Sequence, residues 1–113
     1  MDDSCPLKKI EQINVEDYAT LEIITKALSN KIRLAILDAL LKHGELCACE
    51  LEIAMGIPQP TITLNLHRLY YAGLLKRREE SKYTYYSVKD TYLPLISCIL
   101  RMNESQTKTV EKA

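Results

Sequence analysis

Residues 44–73 read GELCACELEIAMGIPQPTITLNLHRLYYAG. Gly44, Gly56 and Gly73 punctuate it, and Pro58 and Pro60 mark a fresh start in the middle. The spacing predicts a short helix from about Cys47 to Met55, a tight turn holding Gly56 and Pro58, and a longer helix over residues 61–72. In the longer helix Ile62, Leu66 and Leu69 fall on one inward face, and the rest is polar. A short helix, a turn and a polar-faced helix form a helix-turn-helix, whose second helix enters the DNA major groove.

LLKRREESKYTYYSV follows at once. Leu74–Glu79 and Lys82–Val88 read as strands joined at Glu80-Ser81, with Tyr83 and Tyr85 on one face and Tyr86 on the other. A hairpin after a reading helix is a wing. Upstream, Asn30 is a good N-cap for KIRLAILDALLKHG, with Ile32, Ala35, Ile36, Ala39 and Leu40 on one face. Lys42 and His43 suit its last turn, and Gly44 ends it. Before it, Tyr18, Leu21, Ile24 and Leu28 recur at helical spacing. A last helix runs over Leu93–Arg101 with Pro94 in its first turn and Ile96, Ile99 and Leu100 on one side. The domain therefore spans residues 15–102, between an arm (1–14) and a polar tail (103–113). The fold class is mainly α with a small β-hairpin, a winged helix-turn-helix.

The 113 residues carry no net charge, which at first speaks against a nucleic-acid partner. The distribution speaks for one. Residues 1–55 hold ten acids and six bases, whereas residues 56–89 hold two acids and six bases. The basic half offers one face to phosphates. Double-stranded DNA is the expected partner, and no apolar run suggests a membrane. The beginning, MDDSCPLKKIEQ, does not read as a signal peptide, so the expected compartment is the cytoplasm. No nucleophile with a base, carboxylate pair or phosphate-cradling glycine loop appears, so no enzyme is expected.

Cys5, Cys47, Cys49 and Cys98 then sit in a reducing compartment, where metal binding, redox sensing and plain burial compete. Cys47-Ala48-Cys49-Glu50 occupies a capping-box position, with Cys where Ser or Thr would stand. That choice costs about 1 kcal/mol against Ser, which suggests that the thiol serves something else. A helix N-terminus lowers a thiol pKa, and thiolates prefer soft ions. Residues two apart on a regular helix point nearly opposite ways. Both sulfurs grip one ion only if that first turn is irregular or unwinds. Cys98, among apolar residues, reads as packing.

The chain resembles the ArsR/SmtB family of metal-responsive repressors. LSNKIRLAILDAL, GELCACELEIAMGI, QPTITLNLHRLYYAGLLKRR and KYTYYSV carry the likeness across residues 28–88. It implies a homodimer formed by the first and last helices. It also implies DNA contacts from Gln59, Thr61, Thr63, Asn65, His67 and Arg68 on the reading helix, and from Arg77, Arg78 and Lys82 on the wing. The family's usual Ser-Arg-His is here Thr63-Leu64-Asn65, and Leu64 suits a thymine methyl rather than a phosphate. The last helix lacks the zinc-sensing branch's Asp/His/Glu ligands. The third cysteine of the arsenic-sensing branch corresponds to Glu52. In the cadmium- and lead-sensing branch, cysteines of the arm complete the site. Cys5 with Cys47 and Cys49 is therefore the expected metal set. The function implied is a repressor released by As(III)/Sb(III) or Cd(II)/Pb(II). A thiol redox switch and a protein-binding winged helix are the competing readings.

Overall fold

A computed structural model describes residues 8–112, with side chains through residue 103. A 3-10 turn (Val15–Tyr18) leads into α1 (Ala19–Leu28), and Asn14 starts it by accepting from the Glu16 N–H at 3.1 Å. Asn30 caps α2 (Lys31–His43), its side-chain oxygen accepting from the Ile32 and Arg33 N–H groups at 2.9 and 3.1 Å. The buried stripe of α2 is Arg33, Ile36, Leu37 and Leu40, while Ala35 is exposed. The helix is thus rotated from the expected face, because turning Leu37 inward and Ala35 outward buries more apolar surface. In α1 the inward residues are Ile24, Ala27 and Leu28, and Tyr18 and Leu21 stay about half exposed.

After Gly44 the chain makes a strand that periodicity could not reveal, β1 (Leu46–Cys47). Two residues are too few to show alternation. The next helix, α3 (Ala48–Met55), therefore begins one residue later than expected, with Cys47 as its extended N-cap. Gly56 closes it in the left-handed region (φ 66), which favours glycine. The reading helix is α4 (Gln59–Tyr71). Its N-cap, Pro58, has no side chain able to cap, and the Glu52 carboxylate of α3 accepts from the Gln59 N–H at 3.1 Å instead. An anionic group there also suits the helix dipole. Ile62, Leu66 and Leu69 are fully buried, as the spacing predicts.

The wing is β2 (Leu75–Glu80) and β3 (Tyr83–Val88), turning at Ser81 and Lys82, one residue past the expected place. β3 is the middle strand. It pairs antiparallel with β2 and with β1, placing Leu46 opposite Tyr86 and Cys47 opposite Tyr85. The tyrosines divide as expected: Tyr86 is buried, and the Tyr83 and Tyr85 rings lie 6.5 Å apart on the other face. A second 3-10 turn (Asp90–Tyr92) enters α5 (Leu93–Lys112), which runs past the expected stop at Arg101 because no Gly or Pro interrupts it. Ile96 is buried. Cys98 is exposed, not packed as expected, since it lies two residues from Ile96 and so on the opposite side of the helix. No described helix is long and apolar enough to cross a membrane.

Candidate metal centre and nucleic-acid interface

The two sulfurs of the Cys-Ala-Cys stretch meet. Cys47 Sγ and Cys49 Sγ are 3.1 Å apart. On a regular helix they would diverge, but Cys47 still has extended backbone (φ −95, ψ 168). The side chain of the last strand residue therefore swings over the first helical turn, and pairing needs no unwinding. The capping box is reciprocal. Cys47 donates its N–H to Glu50 Oε1 at 3.0 Å, and the Glu50 N–H faces the Cys47 sulfur.

This environment does not favour the Cys47 thiolate, contrary to the expectation from a helix N-terminus. Burial pushes the thiol pKa up, and the contact with Cys49 adds to the rise. The Glu50 N–H opposes both only in part. Cys47 is 4% exposed and Cys49 is intermediate, so the pair is reachable from solvent on the Cys49 side. Two thiolates can hold one ion if their separation is below twice a typical bond of about 2.3 Å, and 3.1 Å meets that condition. No group of three or more His, Cys, Asp or Glu able to hold a metal occurs among the described residues. Glu52 faces the start of α4. Cys5, the expected third ligand, lies outside the described residues.

The sulfurs line a cleft of about 460 Å³ whose other walls include Gln59, Thr63 and His67 of α4 and Lys82 of the wing. Gln59, Thr63 and His67 recur every four residues and share one outward face. Leu64 stands beside them, half exposed. Thr61 is half-buried, and its carbonyl accepts from Asn65. Asn65 itself is 6% exposed, with both amide atoms bonded inside the protomer. It does not join the outward face, and its place among the expected DNA contacts is withdrawn. The sequence held the signal, since Asn65 is in phase with Ile62 and Leu69.

The wing cations differ in what they already hold. Arg78 is committed: its guanidinium donates to both Glu45 oxygens, at 2.9 and 3.1 Å from Nε, and lies 3.4 Å from Glu80. That grip holds the Glu45 carboxyl below its ordinary pKa. A phosphate contact from Arg78 would have to compete with these ion pairs. Lys76 pairs with Asp90 at 3.7 Å. Arg77 lies over the Tyr70 ring at 4.1 Å, and Lys82 is 5.7 Å from the Tyr83 ring. Neither forms an ion pair among the described residues, nor does exposed Arg68. These three cations remain available to phosphates. Arg33, buried against Asn65, went unread in the sequence, although its spacing to Ile36, Leu37 and Leu40 puts it on the inward stripe.

Residues 30–77 match the family described as bacterial regulatory protein, arsR family. An HTH-type transcriptional regulator of Methanocaldococcus jannaschii is 36% identical over 76 residues, covering 67% of this chain and 85% of that protein. An arsenical resistance operon repressor of Staphylococcus aureus is 34% identical over 96 residues, covering 84% of this chain and 91% of that one. A homodimeric winged helix-turn-helix DNA-binding domain from Mycobacterium bovis, solved by NMR, superposes with a TM-score of 0.71. It is 28% identical and covers 84% of this chain and 90% of that one.

Proposed function

The chain belongs to the arsR family of bacterial regulatory proteins, and on that premise we propose that it is a homodimeric repressor released from its operator by a thiophilic metal or metalloid. The ion, of the As(III)/Sb(III) or Cd(II)/Pb(II) kind, binds the thiolates of Cys47 and Cys49, with Cys5 completing the set. The observation that carries this reading is the 3.1 Å sulfur pair at the entry to the reading helix. Soft ions prefer thiolate, and the S. aureus relative is an arsenical resistance repressor. Cys47 is paired to the wing strand through Tyr85, and Cys49 belongs to the helix that leads into α4. An ion drawing on both sulfurs acts on the wing and the reading helix together. The homodimer is supported by the half-exposed Leu21 and Ile23 of α1 with Tyr18 just before it, and by the exposed Leu95 and Met102 of α5.

Burial pushes the Cys47 thiol pKa up, so an ion that takes its thiolate must displace the thiol proton. For Cd(II) or Pb(II) the proton is released, so apparent affinity should climb with pH through the neutral range, by about tenfold per unit for this thiol alone. For As(III) or Sb(III), which arrive as trihydroxides, the proton leaves with a hydroxide as water and the affinity should stay level. Calorimetry in buffers of different ionisation enthalpy checks this, and a pH-independent Cd(II) or Pb(II) affinity would contradict it.

The DNA face makes its own prediction. Lys82→Gln should weaken binding to all DNA sequences alike and reduce the slope of log affinity against log salt by about one. Arg78→Gln should change that slope much less, because Arg78 already holds Glu45 and Glu80. Equal effects would mean that the ion pairs open on DNA.

The sulfur contact also favours a second reading, a redox switch. There the two thiols lose two protons and two electrons to an oxidant, such as a peroxide, and form a disulfide. Titrating DNA-bound protein with As(III) and Cd(II) under anaerobic reductant separates the two. A metal sensor lets go, whereas a redox switch stays bound.

A further inference from the structure

Two polar side chains are buried among the described residues, Arg33 and Asn65, and they are bonded to each other. Arg33 Nη1 donates to Asn65 Oδ1 at 3.0 Å, its Nε donates to the Ala27 carbonyl at 2.6 Å, and its Nη2 reaches the Lys26 carbonyl at 3.5 Å. The Asn65 amide nitrogen donates to the Thr61 carbonyl at 2.9 Å. No carboxylate lies within ion-pair distance of Arg33 among the described residues. The cation is offset instead by the carbonyl end of α1, the negative end of that helix dipole. Burial and the neighbouring Arg68 both oppose its charge.

A buried cation is a poor way to gain stability, and apolar residues of similar volume often do as well or better. What the guanidinium supplies is direction, because its planar fork fixes several bonds at once. One side chain of α2 here grips the end of α1 and the middle of α4. Under the proposed dimer α1 lies at the subunit interface, and α4 carries Gln59, Thr63 and His67. A dimeric reader must hold its two reading helices about one DNA turn, roughly 34 Å, apart. A small rotation of α4 on α1 would misplace both.

We propose that Arg33 and Asn65 are positioning residues for DNA reading: their buried link fixes α4 on α1 and so sets the spacing of the two reading helices in the dimer. This rests on the homodimeric reading above.

The test uses the full chain and an operator fragment selected from a random library. Arg33→Met/Asn65→Leu removes both partners and strands no side-chain polar group, whereas either single change would. Arg33→Lys keeps the charge without the fork. The readouts are melting temperature, dimer dissociation constant, and the affinity ratio of operator to random DNA. Operators whose half-sites are moved by one base pair complete the set. Both variants should melt and dimerise nearly as wild type, while the ratio falls at least tenfold and the moved operators are no longer penalised. A dimeric wild type with ratios within twofold in both variants would overturn the proposal alone. So would losses that merely track melting or dimerisation. A monomeric wild type would overturn the dimer reading, and this proposal with it.

Discussion

Cys47→Ser and Cys49→Ser proteins are expected to bind the operator as wild type does and to remain bound when the inducing ion is added. The reason is local. Cys47 is an N-cap with its sulfur facing the Glu50 N–H, and Ser is a better cap by about 1 kcal/mol. The helix therefore keeps its start, and α4 keeps its pose. A hydroxyl, however, does not replace a thiolate for a soft ion. Loss of an outer-shell partner already costs about 10–100-fold in metal affinity, so loss of a direct ligand should exceed about 100-fold. Cys5→Ser should also weaken ion affinity. Cys98→Ser, on the exposed side of α5, should change nothing. Fluorescence anisotropy of a labelled operator, with and without ion, reads all four. Release retained in Cys47→Ser or Cys49→Ser would remove the ligand assignment.

Leu69→Ala should destabilise the domain by about 2–5 kcal/mol, the usual cost of truncating a buried Leu. Leu69 is 0% exposed on the inward face of the reading helix, so the change leaves a cavity between α4 and the rest of the core. Against a total of about 5–15 kcal/mol, that is a large share. It corresponds to a fall in melting temperature of about 10–30 °C for a domain of this size. Leu69→Met, which conserves volume, should cost less than about 1.5 kcal/mol. Denaturant unfolding checks both. A loss under about 1 kcal/mol in Leu69→Ala would mean that the reading helix is not anchored by this seam.

Much of this architecture is written in local punctuation. Asn30, Gly44 and Gly56 act through their own backbone and their nearest neighbours, so cap and turn chemistry places α2 and α3 to within a residue or so. The inward Ile62, Leu66 and Leu69 follow from period alone. What could not be read depends on pairing across the chain. Leu46–Cys47 becomes a strand only because Tyr85 and Tyr86 of β3 lie beside it. That strand holds Cys47 extended and so brings the sulfurs together. Arg78 is basic in the sequence, but its partner Glu45 lies 33 positions away. The rise of the Cys47 pKa is hidden from the sequence for a related reason. The helix N-terminus is visible locally, whereas the burial that outweighs it is tertiary. At Asn65 two local signals conflict: the residue type suits base contact, whereas its phase with Ile62 and Leu69 places it toward the core, where it lies.

On the proposed reading, an ion seated on the Cys47–Cys49 pair costs the protein its hold on DNA. The direct measurement is the fraction of operator bound by purified, reduced protein, at fixed salt and without oxygen, as As(III), Sb(III), Cd(II) and Pb(II) are each titrated in. At least one of these should release the operator at stoichiometric concentration, and changing either cysteine should abolish that release. Undiminished operator binding in the presence of every one of them would contradict the proposed reading.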